Sequence, residues 1–61
     1  MTFTYEEKLD EVRREIKYRE RVYARLVDAG KMSPESKARK IAIMEAIAAD
    51  LESGAREERL L

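Results

Sequence analysis

The stretch DAGKMSP, residues 28–34, contains a signal that ends one helix and a signal that begins the next. Gly30 favours the left-handed conformation that is common just past the C-terminus of a helix. Ser33 is a strong N-cap residue, and Pro34 is favoured as the first helical residue because its missing N–H would be unpaired there. Only about four residues (30–33) form the turn, so we expect an all-α, antiparallel helix–loop–helix hairpin.

On the N-terminal side of this turn, the sequence predicts a helix over about 5–29. Thr4 and Glu7 have the spacing of a capping box, in which each side chain binds the backbone N–H of the other residue. Apolar residues then recur at alternating steps of four and three positions, which predicts a coiled-coil-like seam along one side of the helix. The seam consists of Tyr5, Leu9, Val12, Ile16, Arg19, Tyr23 and Leu26.

On the C-terminal side of the turn, the sequence predicts a second helix over about 34–53. Its seam has the same alternating spacing. Gly54 weakens a helix, so two interpretations of the tail 54–61 remain open: it continues the helix, or it is disordered. The second seam consists of Ile41, Met44, Ala48, Leu51 and Ala55.

Arg19 is the one charged residue in the first seam. When the two seams are aligned around the turn, Arg19 falls opposite Glu45 on the second helix. We expect these two residues to form a structural ion pair across the hairpin, because such a pair would neutralise the charge and fix the register of the helices.

The length and composition of the chain limit how it can be stabilised. It has 61 residues, enough for a single domain, and it contains no cysteine and no histidine. A chain this short buries only about 60% of the surface that its unfolded form exposes. Disulfides and the usual zinc ligands are excluded, so we expect no metal and no cofactor. Oligomerisation is the remaining means of stabilisation.

Large apolar residues also lie beside the two seams, where one neighbouring helix cannot cover them. We expect them to form a protein-interaction surface through which the chain associates with itself. A two-fold homodimer that forms a four-helix bundle is the simplest closed solution. The residues of this surface are Tyr18, Val22, Ile43 and Ile47.

The residue types needed for most enzymatic chemistry are missing. Without histidine or cysteine, the chain has no Ser–His or Cys–His pair. Its two glycines are too far apart to form a phosphate-binding loop. We therefore expect that the protein is not an enzyme.

The charged residues cancel overall but not locally. The chain has 13 basic and 13 acidic residues, and from residue 13 to residue 40 the count is ten basic to four acidic. This half is either an ordinary solvated helix surface or a phosphate-binding surface for nucleic acid. The candidate phosphate-binding residues are Arg13, Arg14, Lys17, Arg21, Arg25 and Lys40.

Two segments resemble a group of small helical proteins encoded by bacteriophages and prophages. They are VYARLVDAGKM, residues 22–32, and IAIMEAI, residues 41–47. Proteins of that group usually have proline after the tyrosine, whereas this chain has Ala24, which favours an unkinked first helix. The resemblance implies a phage or prophage origin and no particular activity. Small phage proteins commonly bind a host or phage protein, so it also favours a binding role.

The sequence therefore predicts a small protein-interaction module that self-associates and binds a host or phage protein. Two alternatives remain open: an accessory nucleic-acid-binding protein that uses the basic half, and a structural subunit of a larger assembly. No apolar run is long enough for a membrane span, and residues 1–4 lack the features of a signal peptide. We expect a cytoplasmic protein with no membrane partner.

Overall fold

The computed structural model describes residues 2–61 and contains two α-helices packed against each other. Helix α1 spans Tyr5–Asp28 and helix α2 spans Pro34–Leu60. The predicted hairpin is therefore confirmed. It is a slender rod whose principal extents are 48 × 19 × 16 Å.

Helix α1 begins and ends at the predicted signals. The Thr4 side chain accepts a hydrogen bond from the Glu7 backbone N–H at 3.0 Å, and the Thr4 N–H donates to the Glu7 carboxylate at 3.1 Å, which completes the capping box. Gly30 has a φ of 72°. Around it, the Gly30 N–H binds the Val27 carbonyl at 3.0 Å and the Lys31 N–H binds the Leu26 carbonyl at 2.8 Å. This is a Schellman motif, and it satisfies the last carbonyls of α1.

Helix α2 begins at the predicted N-cap and ends later than the predicted boundary near residue 53. The Ser33 side chain accepts a hydrogen bond from the Ser36 N–H at 3.0 Å, and Pro34 is the first helical residue. Helical structure then passes through Gly54 without a break and reaches Leu60. Of the two open interpretations of the tail, the structure gives the helical one.

The best-packed part of the hairpin is the end that is remote from the turn. Leu9 is 1% exposed and Ala55 is 0% exposed, and within residues 2–61 only these two are fully buried. The carboxylate of Glu58 accepts a hydrogen bond from the Tyr5 backbone N–H at 3.1 Å. That N–H belongs to the first turn of α1 and has no partner within its own helix. The tail is therefore held in place by apolar packing and by a cap that it supplies to α1.

Candidate functional site

The residues that form the interface between α1 and α2 are those of the predicted seams. From Leu9 to Leu26 in α1, and from Ile41 to Ala55 in α2, every seam residue is buried or half-buried. Most are only half-buried, because two helices can cover no more than one side of each other. The hairpin therefore leaves apolar side chains partly accessible to solvent.

The four residues predicted to form an interaction surface are at least partly accessible. Tyr18 is 54% exposed, Ile43 is 50% exposed and Ile47 is 43% exposed. Val22 is half-buried. We call these four residues the apolar face.

The positions of these residues relative to the seams place them on one side of the hairpin. Each of the four immediately precedes a seam residue in the sequence; Val22, for example, precedes Tyr23. A step of one residue rotates by about 100° around a helix. In an antiparallel pair, the positions that precede the seam on the two helices lie on the same side of the hairpin, and the positions that follow it lie on the opposite side.

Ion pairs between the helices mark that opposite side. Arg13, which follows Val12 of the seam, binds Glu52, which follows Leu51, at 2.9 Å. Arg59 binds Glu6 of α1 at 3.1 Å and Glu52 at 3.5 Å. We call the side formed by Glu6, Arg13, Glu52 and Arg59 the ion-pair face. Its charges are largely neutralised by one another, so the two sides of the hairpin differ in chemistry.

The predicted ion pair between Arg19 and Glu45 is replaced by a pair within α1. The Arg19 guanidinium donates to the Glu15 carboxylate at 2.8 Å, and its second contact is with the Tyr23 hydroxyl at 3.5 Å. The hydrogen bond that Arg19 donates to Glu15 raises the pKa of Arg19 further above its already high usual value. Glu45 is exposed and makes no ion pair within residues 2–61. A partner one helical turn away is nearer and costs less side-chain ordering than a partner on the other helix.

The six candidate phosphate-binding residues are not equivalent. Arg13 belongs to the ion-pair face, and Arg14 binds Glu11 at 2.6 Å. The other four make no ion pair within the part of the chain that the structure describes. Three of those four are spaced by four residues along the outer surface of α1, and the fourth lies on α2. These residues are Lys17, Arg21, Arg25 and Lys40.

The acidic side chains of the described residues 2–61 do not come together as a metal site. No group of three or more carboxylates is placed to hold a metal ion there. An open groove of about 640 Å³ runs along α1 beside Phe3 and Val12, and its charged groups all come from that one helix. Neither helix in this range is sufficiently long and apolar to cross a lipid bilayer.

Sequence reasoning missed two features that hold the hairpin together. Glu58 caps α1 from the other helix, and Glu52 joins Arg13 to Arg59. The pair between Arg13 and Glu52 could have been predicted from the spacing of the seams. Each of these residues directly follows a seam residue, so both lie on the same side of the hairpin.

No protein-family model, curated protein or solved structure matches the chain, so the comparisons assign it to no family.

Proposed function

We propose that the protein is a non-enzymatic interaction module that self-associates through its apolar face. Two hairpins would pack these faces together as a homodimeric four-helix bundle. The observation that carries the proposal is the grouping of Tyr18, Ile43 and Ile47, each at least 43% exposed, on one side of the rod. Large apolar side chains that are clustered and exposed indicate a binding surface, whereas scattered ones do not.

The accessible area of the hairpin supports a second copy as the occupant of this face. The chain exposes 4930 Å², whereas a compact monomer of 7.1 kDa exposes about 4,100 Å². The excess of roughly 800 Å² is close to what each partner contributes to a protein interface of standard size. Burying this excess against an equal hairpin would therefore lower the exposed area of each chain to that of a compact monomer of its size.

The shape of the hairpin leads to the same conclusion. Its radius of gyration is 14.2 Å, whereas a compact chain of this length has about 10.5 Å and a compact pair of such chains about 13.7 Å. A second hairpin laid alongside adds thickness to the rod without adding length. The resulting pair would be closer to the compact value for its length than the single hairpin is to its own.

In the proposed role, the dimer binds a second protein, from the phage or its host, as the resemblance in residues 22–32 implies. The outer surface of α1 is available for this contact, because Lys17 and Arg21 make no ion pair within residues 2–61. These two basic residues would favour an acidic partner. A structural subunit of a larger assembly would use the same dimer surface and would differ only in its partner.

The same basic residues support nucleic acid as a second candidate partner. With Arg13 and Arg14 already paired, the binding surface would be reduced to four residues, Lys17, Arg21 and Arg25 on α1 and Lys40 on α2. Binding to phosphates would weaken steeply as salt rises. Titration of a random duplex and a single strand at low and moderate salt separates this candidate from a protein-binding role. An absence of binding at low salt removes it.

The proposal is tested by the solution mass of the chain and of a variant with a charged apolar face. We expect a dimer for the native chain and a monomer for Ile43→Glu/Ile47→Glu, because four carboxylates would have to be buried in each dimer interface. The matched control is Leu60→Glu/Leu61→Glu, which changes two exposed leucines at the end of α2. The control should remain dimeric. A dimer that survives the first variant contradicts the proposal.

A further inference from the structure

Each helix carries one stripe of four residues that immediately precede seam residues. In both stripes the members are separated by three, four and three positions, and two apolar residues lie between two residues of opposite charge. Six of the eight residues are exposed, and Glu15 and Val22 are half-buried. The α1 stripe is Glu15, Tyr18, Val22 and Arg25, and the α2 stripe is Lys40, Ile43, Ile47 and Asp50.

Contacts between α1 and α2 indicate which residues lie at similar heights along the rod. In the two ion pairs that join the helices, Arg13–Glu52 and Glu6–Arg59, the residue numbers add up to 65. The close contact between Tyr5 and Gly54 gives a sum of 59, because long side chains lean toward the N-terminus of their own helix and so pair residues whose backbones are offset. Residues whose numbers add up to between these two sums therefore lie within about one and a half helical turns of each other in height.

The charges of the two stripes are consequently grouped by sign. Arg25 and Lys40 both lie on the turn side of the apolar residues, and Glu15 and Asp50 both lie on the side of the chain termini. Arg25, Lys40 and Asp50 make no ion pair within residues 2–61, whereas Glu15 binds Arg19. The apolar face therefore has a positive edge and a negative edge.

We propose that the second copy packs on the apolar face in the antiparallel orientation, with each helix lying on its own equivalent in the partner. This inference rests on the proposed self-association and adds its orientation and register. In α2, Lys40 would lie opposite the partner's Asp50, and Ile43 would lie opposite the partner's Ile47. The contact is isologous, so every pairing occurs twice.

The α2 stripe sets the position of the two-fold axis. This stripe is centred on residue 45, midway between Ile43 and Ile47, so an axis perpendicular to the helices at that height pairs Ile43 with the partner's Ile47. The α1 stripe also has two apolar residues between opposite charges, and its centre lies within about one and a half helical turns of that height. The same axis therefore brings the two α1 stripes alongside each other in the antiparallel orientation.

The parallel orientation also buries the apolar residues but brings like charges together. It would lay α2 on the partner's α1 at equal heights. Lys40 would then lie near the partner's Arg25, and Asp50 would lie near the partner's Glu15. Like charges across an interface disfavour association, whereas the antiparallel orientation sets opposite charges against each other. Charge complementarity therefore selects the antiparallel dimer.

Charge reversal at the two ends of the α2 stripe tests this orientation. The dimer dissociation constant would be measured at low salt for Lys40→Asp, for Asp50→Lys and for the double reversal. In the antiparallel dimer, each single reversal turns two attractive contacts into repulsive ones, so association should weaken by about tenfold or more. The double reversal recreates both ion pairs with exchanged signs and should restore native affinity.

A parallel dimer would respond to the same charge reversals in the opposite way. In a parallel dimer, Lys40→Asp would face the partner's Arg25, and either single reversal would strengthen association. The matched controls are Arg56→Asp and Glu57→Lys, which make the same charge changes at exposed positions of α2 outside the stripe. Single reversals that match these controls, or that strengthen the dimer, overturn the orientation while self-association stands. A native chain that remains monomeric at all concentrations overturns both.

Discussion

The aromatic ring of Tyr5 lies directly against the backbone of Gly54. A Cβ atom at Gly54 would come within 2.6 Å of the ring Cδ1 and 2.7 Å of Cγ. Glycine is the residue that lets the start of α1 and the end of α2 approach this closely. The residue that weakens the helix in isolation is therefore the one that allows the tail to pack.

Gly54→Ala should destabilise the hairpin, even though alanine favours a helix by about 1 kcal/mol over glycine. The added methyl group collides with the near part of the Tyr5 ring, and overpacking of this kind costs about 1–3 kcal/mol. Urea unfolding followed by circular dichroism, compared at equal protein concentration, measures the change.

The same substitution in a Tyr5→Ala background is the control. With the ring removed, the clash disappears and only the gain in helix propensity remains, so Gly54→Ala should now stabilise the chain. Equal destabilisation in both backgrounds would show that the contact with Tyr5 is not the cause.

The capping box makes stability depend on pH in the acid range. Hydrogen bonds from the Thr4 backbone N–H, and then from its side chain, lower the pKa of Glu7. Its pKa is therefore lower in the folded than in the unfolded chain. The stabilisation is complete at neutral pH, and it is lost as pH falls through the ordinary carboxyl range toward the lowered pKa.

Glu7→Gln should reduce this acid sensitivity while it keeps a side chain that can still bind the Thr4 N–H. Thermal unfolding of the native chain and of the variant, from neutral pH down to about pH 2, provides the comparison. If the melting temperatures of the native chain and of the variant fall equally steeply with pH, Glu7 does not contribute to the acid sensitivity. Asp10→Asn is a suitable control, because Asp10 is exposed and makes no hydrogen bond or ion pair within residues 2–61.

Arg19 should be coupled to Glu15 and not to Glu45. A double-mutant cycle on Arg19 and Glu15 should give a small favourable coupling, as is usual for a solvent-accessible pair one helical turn apart. The corresponding cycle on Arg19 and Glu45 should give none. Coupling of the second pair alone would indicate that Arg19 reaches across the hairpin in solution.

Local signals in the sequence account for most of the fold. Gly30, Ser33 and Pro34 mark the turn, and the alternating spacing identifies the residues that face the other helix. Each of these signals acts over one or two helical turns, so it can be read without knowledge of the partner helix. The end of α2 could not be predicted in this way. It depends on contacts of Gly54 and Glu58 with Tyr5, about 50 residues away in the sequence.

The candidate site was predictable in part. The width of the apolar surface on each helix predicts that some apolar residues are exposed. That these residues lie on one side of the hairpin can be predicted only once the helices are known to pack antiparallel. The predicted partner of Arg19, Glu45, was wrong because aligning the two seams considers only positions that face each other across the hairpin. A carboxylate on the preceding turn of the same helix competes for the same guanidinium.

The central claim is that the apolar face is covered by a second copy of the chain. Light scattering after size exclusion, at low and at high salt and over a range of protein concentrations, measures the solution mass directly. The account predicts the mass of two chains for the native protein and of one chain for Ile43→Glu/Ile47→Glu. A folded native monomer at all concentrations would contradict it.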